Sequence, residues 1–89
     1  MLFLVIERFI GGDAGAVGER FRRHGRMLPA GVAYRESWID AAGRRCYQLM
    51  EAPDAAALAP WVAAWDDLVE FEIVPVTGAA EFWAQQPRG

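Results

Sequence analysis

The chain has few groups that could do chemistry. It contains one His, one Cys, one Ser, one Thr and no Lys. Lysine Schiff-base chemistry, including lysine-bound pyridoxal phosphate, is therefore excluded. What remains is His24, Cys46, two Tyr and the carboxylates, or a bound cofactor or co-substrate. Glu7, Glu36 and Glu72 lie in strand-like runs, and their parity puts them on one apolar sheet face. Three carboxylates there would repel and lose hydration, so at least one is expected to be protonated or paired with an Arg. A carboxylate perturbed in this way serves as a proton acceptor or as a hydrogen-bonding handle for a ligand. The plain alternative places all three at strand ends in solvent.

His24 falls at helical spacing with Ala14, Val17, Phe21 and Leu28, on the inward stripe of a first helix. It is either a half-buried histidine bonded to a backbone carbonyl or a general base. With no partner His or CxxC pair, no metal site is expected. Cys46 sits mid-strand and reads as an inert, buried small hydrophobe, because its Arg neighbours point elsewhere. Trp61 and Trp65 are four apart and share a helix face, as core, as cleft lining or as an aromatic platform. Ser37, His24 and an Asp form a triad in inventory only.

The elements that must position these groups follow from periodicity. "LFLVIERF" (2–9) is a β-run ended by "GGD". Asp13 caps a helix running to about Leu28, where Pro29-Ala30-Gly31 stops it. "VAYRESWID" (32–40) and "RRCYQLMEA" (44–52) are strands joined by "AAG". Asp54 can cap a second helix carrying Leu58, Trp61, Val62 and Trp65 on one face. Within it, Pro60 marks either a kink or the true first turn. "LVEFEIVPV" (68–76) is the last strand, and "TGAAEFWAQQ" a short C-terminal helix capped by Thr77. The order β-α-β-β-α-β is the ferredoxin-like arrangement, an α+β fold with a four-stranded antiparallel sheet and both helices on one face.

A three-residue loop, Ala41 to Gly43, sets Asp40 opposite Arg44, Trp38 opposite Cys46, Glu36 opposite Gln48 and Tyr34 opposite Met50. On that register Glu36 hydrogen-bonds Gln48 beside Trp38 and Met50, and its pKa rises. Phe3, Val5, Trp38, Cys46, Met50 and Val74 then form a face turned away from the helices, with Ser37, Ile39, Tyr47 and Leu49 beneath them. The first strand is apolar on both sides, which calls for cover on both sides. A second copy of the chain is the simplest lid, giving a homodimer built as a dimeric α+β barrel. Trp38, Glu36, Gln48, Met50 and Glu72 would line its ligand space, with Glu36, His24 and Glu7 as the candidate catalytic groups.

Bulk properties agree with one small domain. The chain has 89 residues, 54% of them hydrophobic, and a net charge of −3. The mild acidity argues against a nucleic-acid groove, and the Arg cluster in "ERFRRHGR" reads as a solvated helix face. No run approaches the ~20 apolar residues of a membrane span. "MLFLVI" is too short for a signal peptide and lacks a basic flank. A cytoplasmic protein is expected.

The stretches "GRMLPAGVAYRESW", "RRCYQLMEA" and "WDDLVEFEIVPV" resemble a small bacterial family that carries only a domain-of-unknown-function label. That family is similar to the dimeric α+β barrel superfamily, which includes antibiotic-biosynthesis monooxygenases, muconolactone isomerases and stress-responsive barrel proteins. The resemblance implies the fold and the dimer and brings no catalytic motif. It also adds a haem-ligand reading for His24, as in some haem-binding barrels. Two functions follow. One is a small-molecule-binding barrel, acting without a cofactor as a monooxygenase- or isomerase-like enzyme on an aromatic or polyketide-like compound. The other is a non-catalytic assembly or regulatory module whose second sheet face only dimerises.

Overall fold

The computed structural model describes residues 1–87. Its elements are β1 (Leu2–Phe9), a short 3-10 turn (Ile10–Gly12), α1 (Ala14–His24), β2 (Ala33–Ile39), β3 (Arg45–Glu51), a second 3-10 turn (Ala55–Leu58), α2 (Ala59–Trp65), β4 (Val69–Val76) and α3 (Ala79–Ala84). The strands form one antiparallel sheet in the order β2-β3-β1-β4, so β1 and β3 are central. This is the expected ferredoxin-like α+β arrangement with a short C-terminal helix.

Caps explain several boundaries. Asp13 accepts the Ala16 N–H at 3.0 Å and opens α1. That helix ends at His24 rather than near Leu28, because Gly25 turns to φ 66° and breaks the ladder. Asp54 caps the second 3-10 turn through the Ala57 N–H at 2.9 Å, and Pro60 falls in the first turn of α2, where its missing N–H is harmless. Gly78, not Thr77, holds the cap position of α3, and no side chain bonds there.

The hairpin register differs from the expected one. Asp40 Oδ1 accepts the N–H groups of Arg44 (2.8 Å) and Arg45 (3.1 Å), which hold its carboxyl below the usual carboxylate range. Arg44 is thereby drawn into a four-residue loop with Gly43 at φ 71°. Ile39 now pairs with Cys46, Trp38 with Tyr47, Ser37 with Gln48 and Glu36 with Leu49. An irregularity between Tyr34 and Glu36 absorbs the slip, so Tyr34 still pairs with Met50.

That slip and the two-sided β1 together invert half of the expected face assignment. Phe3, Val5, Glu7 and Phe9 of β1 are buried, as are Cys46, Gln48 and Met50 of β3. They join Leu58, Trp61, Trp65 and Val69 in the helix-covered core. Trp61 meets Phe71 of β4 edge to face, with centroids 5.4 Å apart. The opposite face carries Leu4, Ile6, Tyr47, Leu49 and Val74, together with Glu36, Trp38 and Glu72. Trp38 is 54% exposed there. α3 buries nothing, and its Phe82 and Trp83 stand in solvent. No helix is long and apolar enough to cross a membrane among the described residues.

Candidate functional site

α1 crosses the β2–β3 side of the sheet without closing on it. None of its residues is buried, and Phe21 on its inner face is 44% exposed. Beneath it lies a cavity of about 350 Å³, within the range of small-molecule sites. Val17, Gly18 and Phe21 form its roof, Trp61, Trp65 and Val69 one wall, and Ile39 and Gly43 of the hairpin its rim. Its floor is the helix-side row of the sheet, where Glu7, Cys46, Gln48 and Ser37 stand among apolar groups.

Glu7 is the one buried carboxylate among the described residues. It sits opposite Cys46 in the β1–β3 ladder. Burial pushes its pKa up from 4.5 to about 7, opposed by hydrogen bonds from Cys46 and Gln48 and by the charge of Arg26. The Cys46 thiol is pushed up to about 12 by burial and by the neighbouring Glu7 carboxylate, so it stays protonated and can donate to Glu7. Arg26 Nε donates to Gln48 Oε1 at 3.1 Å, which turns the amide NH₂ of Gln48 toward Glu7. The result is a chain from Arg26 through Gln48 to a carboxylate that titrates near neutrality. At the β2 edge, Tyr34 and Ser37 share a hydroxyl hydrogen bond of 2.7 Å.

The residues singled out in the sequence are divided by this arrangement. Glu7 and Gln48 meet on the cavity floor. Met50 is fully buried in the core and does not line the cavity. Glu36, Trp38 and Glu72 lie on the opposite sheet face, so the expected five-residue ligand set is not one site. The expected Glu36–Gln48 hydrogen bond is absent: Glu36 is exposed and accepts the Ser37 N–H at 3.2 Å, while Gln48 serves Arg26. His24 is exposed at the last position of α1, over a shallow cleft with Arg20, Arg23 and Leu68, and does not face the sheet. Among the described residues no group of three or more His, Cys, Asp or Glu could hold a metal.

Arg26 was missed in the sequence because it reads as one more arginine of a solvated helix face. Its signal was "HGR": the glycine ends the helix, so the residue after it leaves the helical face. Arg20 was misread in the same way. Its guanidinium makes a two-bond pair with Asp67 (2.6 and 2.7 Å) and donates to the Ala64 carbonyl at 3.1 Å, tying α1 to the end of α2.

A family model described as a domain of unknown function, DUF3303, matches residues 1–87. The chain belongs to this family. Neither a curated protein nor a solved structure gave a match. The family description names no reaction, so the functional reading rests on the cavity.

Proposed function

We propose that the chain binds a small aromatic or polyketide-like compound beneath α1 and acts on it without a cofactor, by proton transfer. One observation carries this reading: a single carboxylate, Glu7, on the floor of an otherwise mostly apolar cavity of about 350 Å³. A base works best when its pKa lies near the working pH, and burial has brought Glu7 there. Ionised Glu7 would take a proton from a carbon next to a carbonyl. The C–H electron pair becomes a C=C bond, the carbonyl π pair moves to oxygen, and Glu7 returns the proton to the same or a conjugated carbon. The outcome is exchange or isomerisation, and no oxidant is consumed.

The test uses 2-tetralone, a bicyclic ketone whose benzylic C–H bonds next to the carbonyl are acidic. The protein should accelerate its hydrogen–deuterium exchange, with a rate that rises as pH passes about 7. Glu7→Gln should remove the acceleration while the ketone still quenches Trp61 and Trp65 fluorescence. If the wild type shows neither quenching nor acceleration, the reading is defeated.

The assembly reading also has an observation in its favour, the uncovered face with Leu4, Ile6, Tyr47, Leu49 and Trp38. A sheet face this apolar supports a homodimer whether or not the cavity works. Light scattering at micromolar concentration should give about twice the 9.9 kDa chain mass. Trp38→Glu should shift the protein to monomer by placing an unpaired charge in the interface. A monomeric wild type would refute the dimer and leave the cavity reading standing.

A further inference from the structure

Building on that cavity reading, we propose that Arg26 determines specificity there by seating the oxygen of an aromatic compound that carries or develops negative charge. Four contacts hold Arg26. Trp65 Nε1 donates to its backbone carbonyl at 2.9 Å. Its Nε donates to Gln48 at 3.1 Å, and its guanidinium lies 3.5 Å from the centre of the Tyr34 ring, with Phe21 at 5.1 Å. A guanidinium fixed by stacking and one hydrogen bond has already given up much of its rotamer freedom, so less is lost when it binds an anion. Its terminal Nη1 and Nη2 make no hydrogen bond among the described residues, and the side chain lines the cavity. These two groups form the planar fork that matches a carboxylate or enolate oxygen.

The backbone around Arg26 supports a placed group rather than an incidental one. Gly25 before it is at φ 66° and Met27 after it at φ 60°. Left-handed geometry is strained for Met27, and such strain gathers where a side chain must be aimed. Simple neutralisation of Glu7 would place Arg26 in direct contact with the carboxylate. Gln48 lies between them instead, so the base and the cation face the cavity as separate groups. A ketone oxygen on Arg26 would then leave its adjacent C–H toward Glu7.

The experiment compares 2-naphthoate with its neutral isostere 2-naphthamide by Trp fluorescence at pH 6, where Glu7 holds its proton. Wild type should bind the carboxylate about tenfold or more tighter, the scale of a charge-assisted hydrogen bond. Arg26→Gln should bring the two affinities together, mainly by weakening 2-naphthoate. Arg26→Lys keeps the charge without the fork and should fall between. Equal affinities in wild type would overturn the role of Arg26 while leaving the cavity intact, without recourse to any variant. Failure of both compounds to bind would overturn the cavity reading and this inference with it.

Discussion

The two long helices cover the same sheet face and do so differently. α2 and its preceding 3-10 turn place Leu58, Trp61 and Trp65 in the core, each 5% exposed or less. α1 buries no residue at all. Its inner face offers Ala14, Val17 and Gly18, which are too short to fill the gap above β2 and β3, and Phe21, whose ring stays 44% exposed. Beside the packing of Val17 against the core, polar ties hold it: the Arg20 pair with Asp67, the Arg20 bond to the Ala64 carbonyl, and the Trp65 bond to the Arg26 carbonyl. Stability is thus concentrated on the α2–β1–β4 side, and open volume on the α1–β2–β3 side. A chain of this length has little stability to spare, and Trp61, Trp65 and Val69 serve twice here, as part of the core and as the wall of the cavity.

Matched truncations should separate the two sides most clearly. Trp61→Ala removes a side chain that is 2% exposed and breaks the contact with Phe71. Its expected cost is about 3–5 kcal/mol, as for other large core truncations. Phe21→Ala on α1 should cost less than about 1 kcal/mol, since its ring is half in solvent already. Urea denaturation of both variants is the check. Equal costs would mean that α1 packs as tightly as α2, and the contrast would be gone.

Glu7 gives a second contrast, between stability and reactivity. Its pKa is raised in the folded state, from 4.5 to about 7, so the folded protein holds the proton more tightly than the unfolded chain. The stabilising contribution is full below pH 4.5 and is lost as pH rises through about 7. By linkage the loss amounts to about 3 kcal/mol. Glu7→Gln should flatten that fall and leave the variant more stable than wild type above neutrality, while abolishing proton transfer. Parallel stability–pH curves for the two proteins would show that Glu7 is not the group that titrates.

The limits of the sequence reading follow from the same division. Element order, both Asp caps and the Leu58, Trp61, Trp65 stripe were legible, because helical spacing and capping are local signals. The sheet faces were not. β1 is apolar on both sides, so its parity carries no direction. The hairpin register turned on whether Arg44 belongs to the strand or the loop, which the Asp40 carboxylate decides through two backbone bonds. A one-residue slip reverses which residues share a face. It therefore carried Gln48 and Cys46 to the helix side, away from Trp38 and Glu36. The cavity itself left no periodic signature, since a helix standing off a sheet has the same apolar spacing as one packed upon it.

The smallest expected effect is the most specific test of that stand-off. Gly18 lies inside α1 and lines the cavity, and a Cβ built on it meets nothing within 4 Å. Its φ is not in the left-handed region, so Ala fits the backbone without strain. Ala is favoured over Gly in a helix interior by about 0.5–1 kcal/mol, because Gly loses more backbone freedom on folding. Gly18→Ala should therefore stabilise the protein by that amount in urea denaturation. The added methyl should also narrow the cavity roof and weaken binding of 2-tetralone slightly. If the sheet pressed against α1 at this point, the methyl would meet it and the sign would reverse, with Ala destabilising. The sign of one small free-energy change thus reports whether there is space beneath the helix at position 18.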